Sequence, residues 1–68
     1  ELDLLMIRQG RRTGVEFKRN DAPRMTRSIS IATQDLKLDE LVIVYSGTRA
    51  YQLAEKVNVL PLAEIATI

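Results

Sequence analysis

The stretch Leu41-Val42-Ile43-Val44-Tyr45 decides the architecture. It is a continuous apolar run, β-branched at Val42, Ile43 and Val44. Such a run with no polar alternation reads as a strand buried on both faces, the kind that lies inside a sheet flanked by helices. Ser46-Gly47-Thr48 ends it in a turn. Upstream, Met25, Ile29, Ala32 and Leu36 recur at helical spacing and predict a helix over 25–36 with one apolar stripe. Thr26 or Asp21 is placed to cap its start, and Arg19-Asn20-Asp21-Ala22-Pro23 reads as the loop before it. Downstream, Tyr51-Gln52-Leu53 is a short extended piece and Val57-Asn58-Val59-Leu60 a last strand. Pro61 suits the first turn of a terminal helix over 62–66.

Ahead of the helix lie two more strands, Leu2 to Ile7 and Thr13 to Lys18, joined through Arg8-Gln9-Gly10-Arg11. Gly10 supplies the positive φ that a tight hairpin turn needs. The order is β-β-α-β-(β)-β-α, an α/β fold on a mixed sheet. The step from the second strand through the helix to residues 41–45 is a βαβ crossover, expected to be parallel.

With the turn centred on Gln9-Gly10, Asp3 falls opposite Glu16 and Glu1 opposite Lys18. Opposed Cβ atoms on one face are about 5 Å apart, so Glu1, Asp3, Glu16 and Lys18 are expected to cluster there. Leu2, Leu4, Met6, Val15 and Phe17 are expected to form the core on the other face. A slip of one residue would drive Glu16 and Lys18 into that core. Two opposed carboxylates repel unless something positive sits between them. One candidate is Mg²⁺ or Mn²⁺ held by Asp3, Glu16 and Glu1; the other is the Lys18 ammonium itself. Two carboxylates and a lysine are the parts of metal-assisted phosphodiester hydrolysis. The ion polarises a phosphoryl oxygen, and the lysine steadies the developing charge. The same residues also read as a solvated face carrying a Glu–Lys pair.

The composition narrows the chemistry further. The 68 residues contain no cysteine and no histidine. Disulfides, thiolate or imidazole metal sites, Cys nucleophiles and Ser-His-Asp triads are therefore excluded, and any metal must be held by oxygen. A chain this short buries only ~60% of its unfolded surface. The formal charge is +1, yet it is unevenly spread. Residues 1–27 hold Arg8, Arg11, Arg12, Lys18, Arg19, Arg24 and Arg27 against Glu1, Asp3, Glu16 and Asp21, whereas residues 28–68 are net acidic. The six arginines are candidate contacts to a nucleic-acid backbone. The rival account is a solvated basic rim or a docking surface. With Phe17 in the core, no aromatic joins this surface and base stacking is not expected. No apolar run approaches the ~18 residues of a membrane span, and no signal peptide is read, so a cytoplasmic protein without membrane contact is expected. The chain opens on Glu1 inside an apolar segment, which reads as a piece of a longer protein. A fragment with an exposed strand edge is also expected to self-associate into a homo-oligomer.

Asp3, a hairpin, Glu16-Phe17-Lys18, a helix and a buried strand together resemble the PD-(D/E)xK nuclease-like fold of restriction endonucleases and Holliday-junction resolvases. Closer still, Glu1-Leu2-Asp3-Leu4-Leu5, Val15-Glu16-Phe17-Lys18, Asp21-Ala22-Pro23, Thr26-Arg27-Ser28, Leu41-Val42-Ile43-Val44-Tyr45-Ser46-Gly47 and Val59-Leu60-Pro61-Leu62 resemble one group of proteins. These are the prokaryotic AAA-type ATPases with a C-terminal domain of unknown function. The resemblance implies that residues 1–68 are a single domain, the C-terminal fragment of a longer chain, with a truncated nuclease-like core. It puts Asp3, Glu16 and Lys18 at the nuclease-like site positions, with Glu1 as a further acid. It also implies an upstream ATPase domain as partner. ATP would belong to that part, because this chain has no phosphate-binding Gly-x-x-x-x-Gly-Lys-Ser/Thr loop. One departure is Lys37, at a helix end where glycine is common in such proteins. The alternative on the same fold is a non-catalytic structural, dimerisation or partner-binding module.

Overall fold

The computed structural model describes residues 2–19 and 23–67. Glu1, expected opposite Lys18, and Asp21, expected as a cap, lie outside them. Strands β1 (Leu4–Arg8) and β2 (Arg11–Lys18) form the hairpin. Helix α1 (Arg27–Asp35) follows, then β3 (Glu40–Tyr45), β4 (Tyr51–Ala54) and β5 (Val57–Pro61). The sheet order is β1-β2-β3-β5-β4. The three central strands β2, β3 and β5 are parallel, and the outer strands β1 and β4 are antiparallel to their neighbours. The expected α/β class, mixed sheet and parallel crossover are therefore all present.

The helix is shorter than its apolar stripe. Thr26 is the N-cap, with extended backbone and Oγ1 accepting from the Ile29 N–H at 3.2 Å. Met25 thus falls outside the helix. At the other end Lys37 takes φ 52°. This is the left-handed conformation that stops a helix and that glycine adopts most cheaply. The terminal segment Leu62–Thr67 is a 3₁₀ helix, and Pro61 ends β5 opposite Tyr45 rather than opening the helix.

Two cores lie on opposite faces of the sheet. On one face Ile29 of α1 packs with Leu41, Ile43, Tyr45, Val57 and Val59. On the other, the alternate residues Val15, Val42 and Val44 pack with Leu60. Glu16 pairs with Ile43 across the ladder and so shares the face that α1 covers. This corrects the expected layout. The face opposite Glu16 is not the hairpin's core: Val15 is buried, but Leu4 is 48% exposed, Met6 37% and Phe17 47%. Leu2 crosses to the α1 side instead. It fits there because Gly14 has no side chain: a Cβ on Gly14 would lie 2.9 Å from Cδ1 of both Leu2 and Leu38.

Tyr45 closes the far end of β3. Its hydroxyl donates to the Arg49 carbonyl at 2.8 Å and accepts from the Arg49 N–H at 3.2 Å. The ring lies so close over Gly47 that a Cβ there would clash with it. Among the described residues no helix is long and apolar enough to cross a membrane.

Candidate functional site

The site begins at the hairpin turn. Gln9 and Gly10 both have positive φ, 53° and 80°. That is the two-residue turn whose twist matches a hairpin. It fixes the register Arg8↔Arg11 through Leu4↔Val15, as the turn centre predicted. The ladder then stops one residue short of the expected Asp3–Glu16 pair. Asp3 is a bend: its N–H donates to the Val15 carbonyl at 3.1 Å. Its carboxylate Oδ2 accepts from the Phe17 N–H at 2.8 Å. The Asp3 side chain is thus fastened to the backbone of the residue between Glu16 and Lys18. The bend also sends Leu2 across to the α1 face.

Glu16 is the one buried charged residue among those described, 9% exposed. Lys18, two residues on and on the same face, places Nζ 2.7 Å from Glu16 Oε2. The lysine end of this pair is open to solvent; the glutamate end is not. Lys18 also lines a hollow with Pro23, Arg24, Thr26 and Ile29 at the start of α1. On the opposite face it borders a groove with Phe17, Arg19, Ser46 and Leu62. Both lie at the C-terminal ends of the parallel strands, where open α/β sheets bind their ligands.

The donor chemistry of Asp3 and Glu16 suits a hard cation, since both offer carboxylate oxygen. Lys18 already supplies positive charge at Glu16. Among the described residues no group of three acids gathers to hold a metal. Glu1, the third candidate, lies outside them.

The six arginines divide by place and by partner. Arg11 and Arg12 have structural partners. Arg11 pairs with Glu40 at 3.1 Å, and the other Glu40 oxygen accepts from Asn58 at 2.8 Å. Arg12 Nε donates to the Leu36 carbonyl at the end of α1, at 2.8 Å. The Arg12 backbone N–H donates to Asp39 Oδ2, and the Asp39 N–H returns to the Arg12 carbonyl, each at 2.8 Å. Arg12 therefore caps the helix and ties it to β2. Its partners are too distant in sequence for local pattern to show. Arg8, Arg19, Arg24 and Arg27 are exposed. Arg8 and Arg11 sit at the hairpin tip, and the seven residue steps from Arg11 to Lys18 span roughly 23 Å at ~3.3 Å per residue. The tip stands at the other end of β2 from the acidic site. Arg19 and Arg24 are the arginines beside Lys18. Phe17, half-exposed next to Lys18 and Arg19, removes the ground for excluding an aromatic from this surface.

The model of the DUF4143 family, described as a domain of unknown function, matches residues 1–65. The chain is 40% identical over 67 residues to an uncharacterized protein of Mycobacterium tuberculosis and, equally, to one of Mycobacterium bovis. The match covers 98% of this chain and 15% of each relative, so the chain spans about one seventh of their length. No solved structure matches it.

Proposed function

We propose that this chain, which belongs to the DUF4143 family, is a PD-(D/E)xK-like nucleic-acid-binding module of a larger AAA-type ATPase, with Asp3, Glu16 and Lys18 as its site. One observation carries the reading. The Asp3 carboxylate is anchored on the Phe17 N–H, between the ion-paired Glu16 and Lys18. Two acids and a lysine therefore gather at one end of β2, beside Arg19 and Arg24. The short share of the relatives' length that the chain spans agrees with a module worked by a larger protein.

Each residue has a role in this reading. Asp3 and Glu16 would hold Mg²⁺ or Mn²⁺, with Glu1 as a third ligand. The ion supplies charge for a phosphoryl oxygen and a more acidic bound water. Lys18, whose ammonium is open to solvent, would be the group that steadies the charge developing on the phosphate. Arg19 and Arg24 hold the neighbouring backbone phosphates. Arg8 at the tip, roughly 23 Å along β2, reaches phosphates about seven base pairs away at ~3.4 Å per pair.

The test is an incubation of the full-length protein with end-labelled duplex and single-stranded DNA and RNA, with Mg²⁺, with Mn²⁺ and with chelator. Ion-dependent cleavage that is lost in Asp3→Asn, Glu16→Gln and Lys18→Met, while binding persists, is the expected result. Cleavage that survives these substitutions would place the activity elsewhere. A second reading, a non-catalytic docking module, draws on the Lys18 charge already at Glu16 and on the uncovered apolar face. It predicts that no strand is cleaved with either ion.

A further inference from the structure

The chain has three aromatic residues, and the core uses two of them. Tyr45 and Tyr51 meet edge to face, with ring centroids 6.3 Å apart, on the side of the sheet that α1 covers. Phe17 stands on the other side with no ring partner among the described residues. Its neighbour across the ladder, Val44, is buried, whereas Phe17 is 47% exposed. The backbone that carries this ring is nonetheless held on both sides. Phe17 pairs with Val44 in β3, and its N–H donates to Asp3 Oδ2 at 2.8 Å. The residue that anchors the Asp3 carboxylate therefore also presents an aromatic side chain to solvent.

The ring lines a groove of about 400 Å³ at the C-terminal ends of β2 and β3. Val44 is its buried floor, and Leu62, exposed just past β5, adds a second apolar wall. Lys18 and Arg19 make the groove cationic, and none of its lining residues is an acid. Ser46 Oγ donates to the Arg19 carbonyl at 2.9 Å and so ties the end of β2 to the end of β3. Lys18 also lines the hollow on the α1 side. It is the residue that the groove shares with the acidic site.

An exposed ring with cations beside it has the chemistry of a nucleotide site: a π face for the base and positive charge for the phosphate. A protein segment laid over Phe17 and Leu62 would bury them equally well, but it would also strip water from Lys18 and Arg19. A nucleotide brings the phosphate that pairs with them. In a duplex each base is already stacked on its neighbours, so only an unpaired base can lie on the ring. Resting on the nucleic-acid reading of the Asp3, Glu16 and Lys18 site, we propose that Phe17 is a stacking platform for an unpaired nucleobase whose phosphate meets Lys18 and Arg19. The site then takes a single strand, or the frayed end of a duplex, without regard to sequence.

Equilibrium binding of the full-length protein to oligodeoxyadenylate and to an abasic strand of equal length tests this, in chelator to keep the strands intact. The two strands carry the same phosphates and differ in their bases. Phe17→Leu keeps an apolar side chain at an exposed position and leaves the backbone N–H for Asp3. It is expected to weaken binding of oligodeoxyadenylate about 10-fold and to leave the abasic strand unchanged, while Phe17→Trp binds oligodeoxyadenylate at least as tightly as the parent. An equal loss on both strands would overturn the inference, because the ring would then serve the fold and not a base. Unchanged binding of both strands by Phe17→Leu would overturn it too, leaving the groove to a protein segment and the nucleic-acid reading intact. Binding of neither strand by the parent, even at low salt, would remove the nucleic-acid reading itself and this inference with it.

Discussion

Oδ2 of Asp3 accepts a 2.8 Å hydrogen bond from the Phe17 N–H, in the place of a ladder bond where β1 has already bent away. The contact has a structural use and a chemical one, and the two can be separated. Asp3→Asn keeps a carbonyl oxygen for Phe17 and loses the charge. Its unfolding free energy in urea should stay within about 0.5 kcal/mol of the parent, while Asp3→Ala should lose about 1 kcal/mol. Both should abolish any divalent-ion response. An Asn variant as unstable as the Ala variant would mean that the charge itself holds the bend.

Arg12 and Arg8 should divide in the same way. Arg12 holds the Leu36 carbonyl through Nε, whereas Arg8 is exposed at the tip with no side-chain partner among the described residues. Arg12→Met should cost about 1–2 kcal/mol of stability, since a half-buried helix end loses a charged donor. It should leave the salt dependence of DNA binding unchanged. Arg8→Met should leave stability within about 0.5 kcal/mol and lower the salt slope on duplex DNA by about 0.9. Unfolding curves and isotherms at several salt concentrations read the two effects separately.

Much of the sheet was legible because its signals are local. The β-branched run at 41–45 needed no partner to be read as a central strand, and a turn centred on Gln9-Gly10, with the apolar alternation beside it, was enough to place the register of the hairpin. The layout of its faces was not legible. Alternation puts Glu16 and Phe17 on opposite faces, but it does not say which face a helix will cover. The amphipathic reading gave the apolar side to the core, whereas α1 covers the Glu16 side. Nor does alternation survive the bend at Asp3, so Leu2 was assigned to the wrong face. The Glu16–Lys18 pair was readable from its spacing. Arg12, a candidate phosphate contact by sequence, also holds Leu36 and Asp39, partners that lie across the fold and outside any local pattern. Lys37 was noted as ill-suited to a left-handed helix end, and it occupies one.

That position offers a gain in stability. A side chain at φ 52° costs roughly 1 kcal/mol relative to glycine. Lys37→Gly should therefore raise the unfolding free energy by about 1 kcal/mol, visible as a higher denaturant midpoint at unchanged slope. An unchanged or lower midpoint would mean that Lys37 makes a compensating contact.

The central claim is that Asp3 and Glu16 form a cation site beside Lys18. Paramagnetic Mn²⁺, added below stoichiometry to the isotopically labelled protein, tests it most directly by NMR. Selective broadening of the Asp3, Glu16, Phe17 and Lys18 amides is expected, removed by Mg²⁺ competition and absent in an Asp3→Asn, Glu16→Gln variant. Broadening centred instead on Asp35, Asp39 or Glu55, or none at these four residues, would contradict it.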